Sequence, residues 1–354
     1  MRASERSKRA TTRSGVGVPA RGRAGGPRGE APGLSEMGDD FAVRLKRALG
    51  DDRVARDAPL APFTTFKLGG TADWLVLAHR ADDVRRALEI ARDAGVPVTL
   101  LGGGSNVLVS DRGVRGVVIR VHGGDVRQLG VDRIRADAGV TINGLVRWTI
   151  AHGCAGLEMW AGTPGTVGGA IFGNAHFRGR LIGELVVQAE LASERGEVVS
   201  VPASAMEFGY DTSRLHRTHE AVLSADFRVG RGDAAALRAV ARESLAYRKR
   251  TQPLESPSAG CIFQNPDPSR DRIPDGLPAS AGALVDRAGL KGAREGAARV
   301  SMTHANFIVN EGGATATDVR RLIQRCKDGV RARFGVELRE EIVFLGFDDG
   351  HTAN

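Results

Sequence analysis

Trp160-Ala161-Gly162-Thr163-Pro164-Gly165-Thr166-Val167-Gly168-Gly169-Ala170, running on to Asn174 and Ala175, holds four glycines and a proline within residues 162–169. Glycine admits positive φ and lets backbone approach a ligand with no Cβ in the way. Proline between the glycines fixes one φ and stiffens the turn. The apolar Ala170, Ile171 and Phe172 follow at once and anchor the loop to a core. Backbone amides held this way suit a phosphate or pyrophosphate. Taken alone, the stretch reads first as a tight structural turn, because isolated glycine loops often are.

A second loop changes that balance. Leu101-Gly102-Gly103-Gly104-Ser105-Asn106-Val107-Leu108 follows the apolar run Val96 to Leu101 and reads as another phosphate cradle. Neither loop is G-x-G-x-x-G, since Gly104 is followed by Ser105, Asn106 and Val107, and neither is G-x-x-x-x-G-K-[ST]. A nucleotide held by these loops is therefore not held by a Rossmann or P-loop unit.

The two loops, in this order, resemble the UDP-N-acetylenolpyruvoylglucosamine reductase (UDP-N-acetylmuramate dehydrogenase) family of bacterial cell-wall synthesis. The resemblance runs from about Ala58 to Gly346. It implies an α+β fold: a vanillyl-alcohol-oxidase-type (PCMH) FAD-binding fold in two subdomains, plus a C-terminal α+β substrate domain. The expected division is a disordered basic tail over 1–36, flavin subdomains over 37–122 and 123–232, and a substrate domain over 233–348.

Composition fits a globular enzyme. The 354 residues are 42% hydrophobic and 26% charged, an ordinary balance. No apolar run is long enough to span a membrane. Cys154, Cys261 and Cys326 are odd in number and widely spaced, which is no disulfide framework and suits a reducing cytoplasm. The net charge of +8 is concentrated in residues 1–36, where eight Lys/Arg stand against three Glu; the rest of the chain is only +3. That excludes a basic nucleic-acid-binding body. The tail has no apolar periodicity and no h-region, so it reads as disordered and is not a secretory signal. A basic tail for an acidic partner, an idle extension, and a start codon upstream of a true start at Met37 all remain open.

Periodicity gives the rest of the frame. Phe41 to Leu49, Asp82 to Ala94, Thr141 to His152, Ala234 to Arg250 and Thr317 to Phe334 have helical spacing, with Gly95, Gly153 and Gly335 placed to end three of them. Strands are expected at Trp74–Ala78, Val96–Leu101, Gly116–Val121, Ile134–Val140, Val186–Leu191, Val198–Val201, Ala221–Val229 and Val336–Leu345. Cys154 and Cys326 are placed on helical apolar faces, as core.

The resemblance also implies site residues. FAD would be bound by Gly102, Gly103, Gly104, Ser105 and Asn106 of one loop and by Gly162, Thr163, Gly165, Thr166, Gly168, Gly169 and Asn174 of the other. NADPH would reduce the flavin, which would reduce UDP-N-acetylglucosamine enolpyruvate. Substrate contacts would come from Tyr210, Ser213, Arg248, Gln252, Asn265, Lys291, His304 and Asn306. In Ser258-Ala259-Gly260-Cys261-Ile262-Phe263-Gln264-Asn265-Pro266, Cys261 aligns with the family's proton-donating Ser. A free thiol titrates near pH 8.5, which makes it the better acid; a buried inert thiol is the other reading. Glu341 aligns with the family's catalytic Glu. Glu340 is the register risk, and on a strand the two would face opposite ways.

Two segments depart from the family. The pattern Tyr-Arg-x-Ser, whose Arg holds the substrate carboxylate, reads Tyr210-Asp211-Thr212-Ser213 here. A carboxylate cannot do that work, and Arg214 is the candidate replacement, equally readable as a solvated loop arginine. After Asn174-Ala175 the family continues with small residues, where this chain has His176, Phe177, Arg178, Gly179 and Arg180. These departures keep open a catalytically altered paralogue, or another oxidoreductase of the flavin fold. Sequence spacing shows no metal-ligand set. A monomer in the cytoplasm, without nucleic acid or membrane partners, completes the expectation.

Overall fold

A computed structural model describes residues 34–347. Most of the tail read as disordered lies outside them, but residues 34–36 do not: they open the helix Leu34–Leu49.

The first layer is a four-stranded sheet in the order Val54–Pro59, Thr71–Ala78, Val114–Val121, Val98–Leu101. Its first pair is antiparallel and the others are parallel. The helix Ala81–Asp93 forms because Val84, Ala87, Leu88 and Ala91 share one face, Asp82 and Asp83 occupy its first turn, and Gly95 lies beyond its end at φ +64°. That face, with Phe41, Leu45 and Leu49 of Leu34–Leu49, packs on Val76, Ala78, Val117 and Ile119 of the sheet.

The second layer is an antiparallel sheet in the order Val198–Pro202, Val186–Ala192, Ala221–Arg228, Arg133–Asp137, Val126–Gln128. Ala221–Arg228 is buried along almost its whole length. Alternation with an irregularity explains it: Ala221 and Leu223 join the first core, whereas Val222, Ala225 and Phe227 join the second, the faces exchanging where the pairing register shifts between Val222 and Ser224. The second core also takes the helix Ile142–Ala151, whose N-terminus is capped by Thr141. Leu237 and Ala241 of the helix Ala234–Thr251 are buried there too, so that helix packs with the second layer rather than with the C-terminal body.

The C-terminal body sets the helices Ala281–Arg287 and Ala316–Phe334 against the strands Arg294–Glu295, Ala298–Val300 and Ile308–Asn310. Thr315 and Asp318 form a capping box at one end of the long helix, and Gly335 at φ +68° ends it. Phe66, Leu68 and Leu108 of the first layer enter this core. The last strand is Val343–Leu345, shorter than periodicity implied, and it pairs in parallel with Val107–Val109. Glu340 and Glu341 thus precede the strand; Glu340 makes an isolated bridge to Phe263. Cys326 is core on a helix as expected, but Cys154 is buried in the two-residue strand Cys154–Ala155.

Candidate active site

The two glycine loops meet face to face. A Cβ on Gly103 would lie 2.6 Å from Gly165 Cα, and one on Gly102 would lie 2.5 Å from Thr166 Oγ1. Only glycine allows that approach. Thr166 caps the helix Val167–Phe172, which drives Val167, Ala170 and Ile171 into the second core and fixes the loop's position. The backbone N–H groups of Gly103, Gly104, Ser105, Gly165 and Thr166 donate to no carbonyl among the described residues. Free backbone donors on two touching glycine loops are the kind of group that holds a diphosphate. Gly168 and Gly169 differ: the Gly168 amide donates to Ala138 O at 2.8 Å, and the Gly169 amide faces Thr166 Oγ1 at 3.5 Å.

The first loop continues directly to Glu341. Asn106 Nδ2 donates to Glu341 O at 3.1 Å, and Val343 N donates to Asn106 O at 2.9 Å. Glu341 N in turn donates to Ile262 O at 2.8 Å, which brings Cys261 and Glu341 side by side. Glu340 points elsewhere: its carboxylate binds Lys327 Nζ at 2.8 Å. Of the two acids, Glu341 is the one placed beside Cys261. Burial, and the carboxylate of Asp211 close by, push the Glu341 pKa well above the usual carboxylate range.

Cys261 sits in the same enclosure. Burial first, then Glu341 and Asp211, push its thiol pKa up, and Arg248 offsets this only in part. The free-thiol value near 8.5 therefore does not carry over to this site. Burial and the neighbouring acids favour the protonated thiol.

Three further groups line this floor. His176 Nδ1 donates to Asp211 Oδ1 at 2.8 Å, and its ring lies 4.8 Å from the Tyr210 ring at a tilt of 36°. One ring nitrogen of His176 and one oxygen each of Asp211 and Glu341 fall within 4.8 Å of one another. Such a set also has the makings of a cation site, which no local spacing could disclose. Asp211 adopts φ +54°, and its Oδ2 is buried without a partner. Burial, then the charges of Asp211 and Glu341, raise the Tyr210 hydroxyl pKa, and Asn265 Nδ2 lies 3.4 Å from that hydroxyl.

Arg248 is only 5% exposed. Its Nη2 donates to Thr163 Oγ1 at 2.7 Å, its Nη1 to Gln252 Oε1 at 3.4 Å, and its guanidinium lies 3.9 Å from the Phe177 ring centroid. Burial lowers its pKa to about 10. Arg248, Thr163 and Gln252 thus form one unit joining the second glycine loop to the floor.

Of the other expected residues, Asn306 is the one set against the Cys261 thiol. The Arg214 guanidinium grips Glu220, with Nε at 3.0 Å from Oε2 and Nη2 at 3.3 Å from Oε1. Ser213 Oγ donates to Phe172 O at 2.7 Å, and Asn174 holds Gly209 O and Gly183 N. Asn306 is 3% exposed and brackets Phe263, donating to its carbonyl at 2.7 Å and accepting from its amide at 2.9 Å. It holds the Cys261 segment in place. Lys291 pairs with Asp286 at 3.0 Å and lies near His304, whose Nδ1 accepts from the Asn306 amide at 3.2 Å. His176 was not among the expected site residues. The signal was present, since His176 and Asp211 are both departures from the family pattern and answer each other in space.

Comparison with known proteins gives the family. The family model described as "UDP-N-acetylenolpyruvoylglucosamine reductase, C-terminal domain" matches residues 252–345, and one described as "FAD binding domain" matches residues 72–202. A UDP-N-acetylenolpyruvoylglucosamine reductase of Bacillus velezensis is 38% identical over 83% of this chain and 94% of its own. One of Anaeromyxobacter sp. (strain K) is 40% identical, over 84% and 90%. The crystal structure of the Thermus caldophilus reductase superposes with a TM-score of 0.68 at 32% identity, covering 83% of this chain and 99% of that one. The chain belongs to the UDP-N-acetylenolpyruvoylglucosamine reductase family.

Proposed function

We propose that this chain is an FAD-dependent oxidoreductase that uses NADPH to reduce UDP-N-acetylglucosamine enolpyruvate to UDP-N-acetylmuramate, a step of peptidoglycan precursor synthesis. The observation that carries the reading is the Cys261–Glu341 pair, tied to the glycine loops through Asn106. In this family setting the five free amides of the touching loops fit the diphosphate of FAD.

When bound, the flavin supplies hydride to the vinyl carbon remote from the substrate carboxylate. The chain's own groups do the rest. Cys261, held protonated, gives its proton to C2. Glu341, kept neutral by burial, donates a hydrogen bond to the carboxylate-side oxygens, where negative charge develops. Asn106 and Ile262 fix the Glu341 backbone, and Asn306 fixes the Cys261 segment, so neither donor has to be ordered during the reaction. Arg248 places a positive charge beside the second loop and the sulfur.

We also read the protein as a cytoplasmic monomer whose partners are these small molecules, with neither nucleic acid nor membrane among them. Among the described residues no helix is long and apolar enough to cross a membrane. The test is NADPH oxidation by the purified yellow protein. It should depend on the enolpyruvyl UDP-sugar and yield the lactyl ether. A yellow protein whose NADPH oxidation the sugar leaves unchanged would refute the reaction, and a colourless protein that cannot be reconstituted would refute the flavin reading.

A further inference from the structure

The substrate of the reaction proposed above carries a carboxylate on the carbon that is protonated, and hydride arrival adds charge to it. That carboxylate needs a cation. The floor it must enter is instead rich in acids: Cys261, Glu341, Asp211 and the Tyr210 phenol. The family places a guanidinium there, and this chain places Asp211. Of the nearby arginines, Arg214 is gripped by Glu220, and Arg248 is buried, its terminal nitrogens on Thr163 and Gln252 and its Nε enclosed without a partner.

His176 offers this floor a further nitrogen donor. Its side chain is 27% exposed, so it reaches the cleft, while that of Asp211 beneath it is only 8% exposed. Nδ1 is taken by Asp211 Oδ1 at 2.8 Å, and Nε2 forms no hydrogen bond among the described residues. The Tyr210 ring limits the imidazole's swing from one side. A ring so fixed through Nδ1 points Nε2 in one direction.

We propose that His176, as an imidazolium oriented by Asp211, binds the substrate carboxylate and takes up the charge that develops there, so that a His–Asp pair replaces the family's single arginine. His176 is then a catalytic residue and Asp211 a positioning residue. Asp211 tolerates its left-handed φ, as Asp and Asn do best among residues with a Cβ. The inference rests on the proposed reaction.

The experiment uses FAD-loaded protein and measures the two half-reactions separately. His176→Ala should be reduced by NADPH at the parent rate, and its reoxidation by the enolpyruvyl UDP-sugar should slow roughly a hundredfold, the scale of losing one oxyanion-type donor. His176→Gln keeps the polar reach without the charge, should lose nearly as much, and decides the matter if His176→Ala loses its flavin. Asp211→Ala should slow reoxidation about tenfold or more, and Asp211→Asn, which keeps an acceptor for Nδ1, should recover part of it. The exchange His176→Gly with Asp211→Arg restores the family arrangement and should return the rate to within about tenfold of the parent, which a packing defect would not permit. Parent-rate reoxidation by both His176→Ala and His176→Gln overturns the proposal. So does a parent enzyme that slows a hundredfold after chelation and recovers with added Zn²⁺ or Mn²⁺, since His176, Asp211 and Glu341 would then be metal ligands. A parent that never reoxidises with the sugar refutes the underlying reaction instead.

Discussion

Gly103→Ala tests the joint between the two loops. A Cβ there would stand 2.6 Å from Gly165 Cα and 3.1 Å from Gly165 C. Carbon atoms pack at about 3.5–4.0 Å, so the shortfall is about 1 Å. Both atoms are backbone, in a loop whose far side is pinned by Val167 and Ile171 in the core, so no side chain can swing aside. Relief must come from separating the loops, which spreads the amides proposed to hold the FAD diphosphate. Overpacking of this kind costs about 1–3 kcal/mol. Taken from binding alone, that is roughly a 5- to 150-fold weaker Kd for FAD, at 1.4 kcal/mol per tenfold. The assay is titration of flavin-stripped protein with FAD, followed by flavin fluorescence, beside thermal melts of the apoprotein. Gly230→Ala is the control: nothing lies within 4 Å of its Cβ, and affinity should be unchanged. An alanine variant that binds FAD at parent affinity and melts at parent temperature would refute the close apposition of the loops.

Cys261→Ala should leave flavin reduction by NADPH intact and slow reoxidation by substrate at least roughly a hundredfold, with Cys261→Ser recovering much of the loss; unchanged reoxidation would make the thiol structural. Glu341→Gln should slow the same half-reaction, whereas Glu340→Gln, which loses only the Lys327 pair, should not. Because the folded Glu341 pKa is raised above its unfolded value near 4.3, the folded state binds the extra proton between the two values, and parent stability falls as pH rises through that window. Glu341→Gln should therefore gain melting temperature over the parent at pH 8 relative to pH 4; an equal difference at both would refute the shift. Removal of residues 1–33 should change neither flavin content nor turnover, measured by flavin absorbance and NADPH oxidation.

The sequence alone determined what depends on local chemistry. Helix Ala81–Asp93 was legible because its apolar spacing, acidic first turn and C-terminal glycine all agree. The glycine loops were legible because close backbone approach needs glycine whatever surrounds it. Periodicity also named Ala221–Arg228 as a strand, but only the assembled layers explain why it is buried on both faces. The choice between Glu340 and Glu341 needed the tertiary structure, since neighbouring identical residues differ only in what faces them: Lys327 for one, the Cys261 floor for the other. Arg214 misled because nearness in sequence to Asp211 does not place a guanidinium beside it, and Glu220 holds it away. His176 and Asp211 stand 35 residues apart, and no sequence period links them. Their meeting joins the short strand His176–Phe177 to the turn at Asp211, which is why the tertiary structure alone made them a pair.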